Sequence, residues 1–439
     1  MATLQQKPLT LRRNFSWNFV GNVVYAACQW GMLVVLAKVG SPEIVGQFTL
    51  GLAVTAPIFL FANLQLRTIQ ATDTKQQYVF GDYLALRLIA TALAILAIAG
   101  IGLGTGYRLE TSLVILAVGV SKALESISDV FYGLIQQRER MDRIALSMMI
   151  KGPLSLLFLG VGVYLTRSVF WGVVGLAIAW AIVLLGYDIR SGALMLKMRP
   201  IAPQHFKDVN PDVGEENLQP RWHFQTLKQL IWLSLPLGVV MMLISLNGNM
   251  PRYFIERSLG DRELGIFAAI SYLMVAGRML VFSLGESASP RLAKYYAAGD
   301  GRAFRNLLIK LVGIATLLGL AGILAASIAG RQILTLLYRA EYAERADLFV
   351  WLMVVAGITY VASFLGYGIT AARYFRIQMP LFASVTAISA LACFWLIPTR
   401  GLQGAAIALL IGSIVEVGTT AIVILHALHR LQTRNFEGQ

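Results

Sequence analysis

Long apolar segments alternate with short polar segments along almost the entire chain. A bilayer offers the backbone no water to bind, so a crossing segment must be a helix of about 20 mostly apolar residues. Windows of this kind lie near 14–38, 44–66, 84–106, 111–135, 143–165, 170–189, 229–250, 264–285, 305–330, 348–371, 378–397 and 402–427. The pattern predicts an all-α polytopic membrane protein of about twelve transmembrane helices.

Composition and charge agree with this prediction. Hydrophobic residues make up 57% of the 439 residues and charged residues 14%, whereas soluble domains carry roughly 25% charged residues. The net charge of +14 would suit a nucleic-acid partner, but no polar segment is long enough to fold as a nucleic-acid-binding domain. Most Lys and Arg residues instead flank the spans on the side of the N-terminus. This asymmetry predicts that both termini are cytoplasmic.

The sequence contains no pattern typical of a cofactor, a metal site or a nucleotide-driven engine. The phosphate-binding motif Gly-x-x-x-x-Gly-Lys-Ser/Thr does not occur. His426 and His429 have no evident third ligand, and Cys28 and Cys393 lie in separate apolar windows. No outer loop is large enough to house a glycosyl-transfer site, which favours a transporter over a membrane enzyme.

A polar, proline-containing segment divides the predicted spans into two sets of six. We predict an N-terminal six-helix lobe at 1–190, a cytoplasmic linker at 191–228 and a C-terminal six-helix lobe at 229–439. Prolines and mixed charges in the linker segment are typical of a connection without a core of its own.

Short motifs recur in the same order in the two predicted lobes. The pairs are Gly46-x-Phe48 with Gly265-x-Phe267, Gly81-Asp82-x-x-Ala85-x-Arg87 with Gly299-Asp300-x-x-Ala303-x-Arg305, Tyr132-Gly133-x-x-x-x-Arg138 with Tyr367-Gly368-x-x-x-x-Arg373, and Thr166-Arg167 with Thr399-Arg400. Because each half has an even number of spans, the repeats share one orientation and a pseudo-two-fold axis along the membrane normal. This architecture predicts a substrate pathway between the lobes.

The fourth predicted span carries three charged residues within an otherwise apolar helix. Lys122, Glu125 and Asp129 are three, four and seven positions apart, so they share one helical face. Each would cost roughly 2.5–3.5 kcal/mol against lipid at a helix centre, so the face must meet other helices or a wet cavity. One interpretation is an internal ion pair that joins helices. The other is a cavity wall that contacts substrate or takes up a coupling ion.

The first predicted span carries a stripe of amide and hydroxyl side chains. Its members are Asn14, Asn18, Asn22, Tyr25 and Gln29. Their spacing places them on one face over about four turns. Hydrogen bonds between helices would explain some of them, but the length of the stripe favours a cavity face.

Two arginines and two further carboxylates complete the candidate residues. Arg67 ends the second span, and Arg278 lies about two turns inside the eighth. A guanidinium group suits phosphate because it donates two parallel hydrogen bonds, although the stem of Arg67 could also reach the lipid headgroups. Glu286 and Glu416 are candidates for ion coupling or for helix-end pairing.

Two stretches of the chain resemble a known family. They are Asn14-Phe-Ser-Trp-Asn-Phe-Val-Gly-Asn22, followed by Gly46-Gln-Phe48, and Asn63-Leu-Gln-Leu-Arg-Thr-Ile-Gln-Ala-Thr-Asp73. They resemble the oligosaccharide-lipid flippases of the multidrug/oligosaccharidyl-lipid/polysaccharide exporter superfamily, in particular the bacterial O-antigen and capsule repeat-unit flippases. The resemblance in topology covers nearly the whole chain. The first span departs from the relatives, because its stripe is rich in asparagine and not basic.

The resemblance implies a MATE-like fold of two six-helix lobes in a bacterial inner membrane and transport by alternating access. It implies an undecaprenyl-pyrophosphate-linked saccharide as cargo, with membrane lipids and polysaccharide polymerase machinery as partners. The relatives place basic residues of the second and eighth spans in a central cavity, which Arg67 and Arg278 match.

We therefore hypothesise a flippase for a polysaccharide or lipopolysaccharide O-antigen repeat unit. Arg67, Lys122 and Arg278 would contact phosphate or acidic sugar. The amides of Asn18, Asn22 and Gln29 would bind hydroxyl groups, whereas Glu125, Asp129, Glu286 and Glu416 are the ion-coupling candidates. The alternatives are a cation-coupled multidrug or metabolite exporter of the same fold and a membrane enzyme that transfers the saccharide.

Overall fold

The computed structural model describes residues 11–73, 77–197, 218–372 and 374–437, which contain helices and no strand. The chain divides into two compact units. Unit 1 is Met1–Gly40 with Gln47–Met242, and unit 2 is Ser41–Gly46 with Leu243–Gln439. Most of the predicted linker, 198–217, lies outside the described residues, so the lobe boundaries drawn from the sequence stay a prediction.

Unit 1 is built from the first eight helices, apart from the first turn of α2, and from the beginning of the ninth. They are α1 (Leu11–Val39), α2 (Pro42–Ala62), α3 (Leu66–Thr72), α4 (Phe80–Gly104), α5 (Leu109–Gln137), α6 (Met141–Thr166), α7 (Val169–Val183), α8 (Ile189–Lys197) and α9 (Phe224–Leu259). Helix α6 packs along α1 and α7, and α5 packs against α4 and α7. The rings of Phe80 and Phe131 meet at 5.3 Å in the core, and Leu230 of α9 is fully buried beside them. The start of α9 therefore belongs to unit 1.

Unit 2 contains the end of α9 and the remaining helices. They are α10 (Asp261–Tyr272), α11 (Met274–Ala297), α12 (Gly301–Leu337), α13 (Ala340–Ala343), α14 (Ala346–Ala371) and α15 (Phe375–Glu437). Helix α14 packs against α11, α12 and α15. Gly319 of α12 and Gly357 of α14 lie backbone to backbone, because a Cβ on either would come within 3.1 Å of the other's Cα.

The predicted number of spans is confirmed. Ten helices of the described residues are long and apolar enough to cross a membrane, and one of these extends over Ile377–Arg430. Gly401 interrupts that helix with φ 59° and ψ −138°, so it corresponds to two predicted spans. Helix α5 is 29 residues long, enough for about 43 Å; its charged residues keep it out of the apolar set. Counting α5 as a span, and the helix interrupted at Gly401 as two spans, gives twelve spans.

Two backbone irregularities in unit 1 position polar side chains. Between α2 and α3, Leu64 and Gln65 adopt positive φ angles of 51° and 53°, which costs non-glycine residues of order 1–3 kcal/mol each. Leu64 fits there because Gly238 of α9 leaves room for it. The second irregularity is a π turn over Leu184–Asp188, a distortion that often marks functional sites. It joins α7 to α8 and ends at Asp188, whose side chain is a carboxylate.

The repeated Gly-x-Phe motif produces a close helix contact within unit 2. A Cβ on Gly46 would overlap the carbonyl oxygen of Asp261, and a Cβ on Gly265 would overlap that of Pro42. The first turns of α2 and α10 therefore touch through their backbones, which only glycine permits. Here a recurrence seen in the sequence has a steric reason.

We expect Gly265→Ala to lower the free energy of unfolding by about 1–3 kcal/mol, because the added methyl group overpacks this contact. Thermal unfolding of the detergent-purified protein measures the effect. Gly313→Ala is the matched control, since no atom lies within 4 Å of a Cβ at that helical position. Equal stability of the two variants would contradict the close contact.

Candidate functional site

The charged face of α5 is an accessible polar surface in unit 1. Lys122 Nζ lies 2.7 Å from Glu125 Oε2, and Lys122 also lies over the ring of Trp180 at 5.3 Å. The side chains of Lys122, Glu125 and Asp129 are 25%, 31% and 26% exposed. Lys122 and Glu125 thus pair within α5, and these exposures leave the face open to a polar ligand or to water.

The stripe on α1 divides into a docking end and an open end. Asn14 donates to the carbonyl oxygen of Glu139 at 2.8 Å and accepts from the backbone N–H of Met141 at 3.2 Å, so it joins α1 to the turn before α6. Asn22 is exposed and donates within its own helix, to the backbone and side-chain oxygens of Asn18. The stripe is thus part helix docking and part free polar surface.

Tyr25 connects this stripe to the charged face of α5. Its hydroxyl donates to Glu125 Oε1 at 2.9 Å, while the other carboxylate oxygen of Glu125 accepts from Lys122. Gln29, one turn further along α1, lies within hydrogen-bonding reach of Tyr25. The predicted residues of spans one and four therefore form one continuous polar cluster.

Asp129 is the carboxylate that two arginines share. Arg67 NH1 lies 3.4 Å from Asp129 Oδ1, and Arg87 NH2 lies 3.1 Å from Oδ2. The side chain of Arg87 is completely buried, whereas that of Arg67 is 31% exposed. Arg67 also donates to Gln136 Oε1 at 3.0 Å, so it is held over the site and does not extend freely to the headgroups.

The break between α2 and α3 supplies a further partner for Arg87. Asn63 immediately precedes the two left-handed residues and accepts hydrogen bonds on Oδ1 from Arg87 NH1 and from Ser126 Oγ, the latter at 2.6 Å. Arg87 lies inside the predicted third span, 84–106, but it was not among the candidate residues. The structure places it in the second turn of α4, turned inward. Its position in a repeated motif was the only signal that set it apart.

Sequence reasoning also missed a second buried ion pair. Lys151, inside the predicted fifth span, lies well within α6, with Nζ 3.7 Å from Asp188 Oδ2. Asp188 ends the π turn and accepts from Ser147 Oγ at 2.5 Å, and Ser147 in turn meets the Tyr132 hydroxyl at 2.7 Å. The side chains of Lys151 and Asp188 are at most 2% exposed, so this pair joins helices and is closed to ligands.

The candidates in unit 2 are more dispersed. Arg278 is exposed on α11, and the charge of Glu416 acts on it without forming an ion pair within 4.0 Å. Glu286 is exposed and lies within hydrogen-bonding reach of Tyr367. Gly277 allows the Tyr360 ring to pack beside Arg278. The described part of unit 2 therefore has no counterpart to the paired charges on α5.

Comparison with solved structures shows the fold. An inward-facing multidrug resistance MATE family transporter of the MOP superfamily matches with a TM-score of 0.68 at 15% identity, covering 95% of this chain and 98% of the other. A MOP superfamily transporter from Pyrococcus furiosus, described as having a binding pocket of reverse polarity, matches with a TM-score of 0.62 at 15% identity, covering 95% and 94%. The chain has the MATE-like fold that the sequence predicted.

Comparison of sequences defines the family. The family model described as "Polysaccharide biosynthesis protein" matches residues 11–296, and the chain belongs to this family. The capsular polysaccharide biosynthesis protein CapF of Staphylococcus aureus is 29% identical over 414 residues, which cover 92% of this chain and 97% of that protein. Family and fold together support a polysaccharide flippase over a small-molecule exporter, and a transporter over an enzyme. They confirm the resemblance that the sequence motifs indicated.

We expect Asp129→Asn to lower the free energy of unfolding by about 3–5 kcal/mol, because it leaves the buried guanidinium group of Arg87 without a carboxylate. Chemical unfolding of the purified protein in detergent measures the change.

Glu110→Gln, at an exposed position in the first turn of α5, is the matched control and should unfold like the wild type. Adding Arg87→Met to Asp129→Asn should restore part of the lost stability, since the two sites are coupled. If the losses of stability caused by the two single substitutions simply add in the double variant, Asp129 does not act through Arg87.

Proposed function

We propose that this protein is a flippase that carries a lipid-linked oligosaccharide, a polysaccharide or O-antigen repeat unit, from the cytoplasmic to the outer leaflet by alternating access. The observation that carries the proposal is the open, charged face of α5 in a chain of the polysaccharide biosynthesis family. A saccharide needs many hydrogen-bonding partners on its route through the hydrocarbon layer, because lipid supplies none.

The accessible side chains of unit 1 suit a neutral or acidic saccharide. Asn18, Asn22 and Gln29 present amides, which both donate and accept hydrogen bonds and so match hydroxyl groups. Lys122 and Arg67 present charged donors toward carboxylate or phosphate groups. Glu125 and Asp129 balance these cations, and Glu125, with Glu416 and Glu286 of unit 2, is available to take up a coupling ion.

Location and partners follow from the same proposal. Both termini lie in the cytoplasm of a bacterial cell, and the protein resides in the inner membrane, as the positive-inside distribution supports. The cargo is linked to undecaprenyl pyrophosphate. Polysaccharide polymerase machinery receives it on the outer side. The capsular role named for the Staphylococcus aureus relative supports this setting.

Deleting the gene tests the assignment directly. We expect undecaprenyl-linked repeat units to accumulate facing the cytoplasm and surface polysaccharide to disappear. The orientation of the lipid-linked units is measured by their accessibility to an enzyme or lectin in sealed inverted and right-side-out vesicles. Normal polysaccharide with increased drug sensitivity would instead indicate the small-molecule exporter. Chemical alteration of the cargo by purified protein in liposomes would indicate an enzyme.

Complementation of the deletion strain tests the residues. We expect Lys122→Gln to reduce the translocation rate about tenfold or more, since a hydrogen bond to a charged group contributes about 1.5–3 kcal/mol. Glu110→Gln on the same helix should complement fully at equal expression. A Lys122→Gln protein that is equally abundant and fully active would exclude this lysine from the route.

A further inference from the structure

An apolar groove opens on the surface of unit 1 between α1 and α6. Its volume is about 460 Å³, and none of the described residues that line it is charged. Its walls include Cys28, Val35 and Val39 of α1 and Pro153, Gly160 and Tyr164 of α6. Because burying apolar surface against another apolar group is favourable, such a groove suits a hydrocarbon chain.

Glycines on α6 give the groove its floor. A Cβ on Gly152 would lie 3.2 Å from Sγ of Cys28, and a Cβ on Gly160 would lie 3.4 Å from Cγ1 of Val35. The two helices therefore lie close together at these positions. Beside them, the larger side chains of Leu157 and Val161 line the groove and are exposed. Small residues between larger ones leave a trough along the helix pair.

The length of the groove matches one leaflet of a bilayer. On α1 it extends from Cys28 to Val39, where the helix ends. On α6 it extends from Pro153 to Tyr164, in the last turn of that helix. Each stretch is about three turns long and rises roughly 16 Å, whereas the whole hydrocarbon core is about 30 Å thick. The groove therefore fits a lipid chain of one leaflet, while a partner helix would need a contact surface along the entire span.

A cation is fixed at the end of the groove that lies at the membrane surface. Arg167 follows α6 directly and is exposed. Its NH1 donates to the carbonyl oxygen of Val39 at 2.9 Å, and its guanidinium carbon lies 5.8 Å from the ring centroid of Tyr164. Both partners line the groove. The guanidinium group is therefore held at the mouth of the groove and does not extend freely toward water.

The charge of Arg167 is not neutralised within the described part of the chain. No described carboxylate oxygen lies within 4.0 Å of it, and Lys38 is exposed at the same end of α1. Capping of the α1 carboxyl end explains the hydrogen bond to Val39. It leaves further N–H groups of the guanidinium fork, two of which can bind one phosphate in parallel. Positive charge thus lies directly beside the open end of an apolar groove.

We infer that the groove between α1 and α6 binds one acyl chain of an anionic phospholipid, whose phosphate contacts Arg167. The lipid belongs to the leaflet in which α6 ends, which is the outer leaflet in the orientation proposed above. It is a lipid of the surrounding membrane and not the cargo, because the groove holds a chain of one leaflet and not a longer polyprenyl chain. The bound lipid supports α1, the helix from which Tyr25 reaches Glu125.

Titration of the detergent-purified full chain with two phospholipids of identical acyl chains, followed by native mass spectrometry, tests the inference. We expect the wild type to bind phosphatidylglycerol about tenfold more tightly than phosphatidylethanolamine, whose net charge is zero. Arg167→Gln should remove this preference by weakening only the binding of phosphatidylglycerol. The matched control is Arg400→Gln, which changes the exposed arginine at the corresponding position of the repeat. It should bind within about twofold of the wild type, because ordinary surface charge contributes little.

A second pair of variants tests the chain separately from the headgroup. Gly160→Leu fills the groove and should weaken both phospholipids equally, whereas Gly160→Ala adds a methyl group at ordinary contact distance from Val35 and should bind like the wild type. A photoactivatable group at the end of the acyl chain should label the protein near Cys28 or Pro153. Since Arg167→Gln changes an exposed side chain, a folded variant is available even if Gly160→Leu unfolds.

Several outcomes would overturn the site. They are no binding by the wild type, equal wild-type affinity for the two phospholipids, an unchanged preference in Arg167→Gln, an equal loss in Arg400→Gln, and labelling confined to helices other than α1 and α6. Displacement of phosphatidylglycerol by a lower concentration of polyprenyl phosphate would assign the groove to the cargo and also overturn it. None of these results bears on the flippase assignment, which gene deletion tests.

Discussion

The carboxylate of Asp129 is the interaction on which unit 1 depends. A charge taken out of water needs a partner within a few ångströms, because the surrounding hydrocarbon cannot solvate it. Arg87 is fully buried and finds that partner in Asp129, while Arg67 contacts the same carboxylate from the more exposed side. The strained turn at Leu64 and Gln65 follows from the same requirement, since it brings Asn63 to Arg87. Local strain is thus offset by hydrogen bonds to a charge that would otherwise be unsatisfied.

The duplicated motifs repeat their packing but not their chemistry. Gly133 and Gly368 each leave no room for a Cβ, the first beside Gln70 and the second beside Ile424. The tyrosines before them have different partners, because Tyr132 meets Ser147 whereas Tyr367 lies beside Glu286. A glycine at a helix contact is replaceable only at a steric cost, but the polar partner of a tyrosine can differ freely. The repeated positions therefore share their packing while their polar partners differ.

Charge compensation divides the polar groups of unit 1 into two kinds. Lys151 and Asp188 are sealed among Ser147, Tyr132 and the π turn, so their role is to hold helices together. Lys122 and Glu125 form a closer pair, at 2.7 Å against 3.7 Å, yet roughly a quarter to a third of each side chain is exposed. Depth of burial, and not the presence of an ion pair, separates a structural contact from a surface that a ligand can reach. The two interpretations of the charged face on α5 are therefore compatible.

The sequence by itself determined the class of fold, the span count and the shared face of Lys122, Glu125 and Asp129, because hydropathy and helical periodicity are local properties. It also located Arg67 and the stripe on α1. It did not reveal the buried pairing of Arg87, Lys151 and Asp188, although all three lie inside predicted spans, because hydropathy gives the position of a charge along a helix and not its partner. Whether such a charge turns outward to the headgroups or inward depends on a partner supplied by a distant helix. Asp129 lies 42 positions from Arg87, and only the tertiary structure brings the two together.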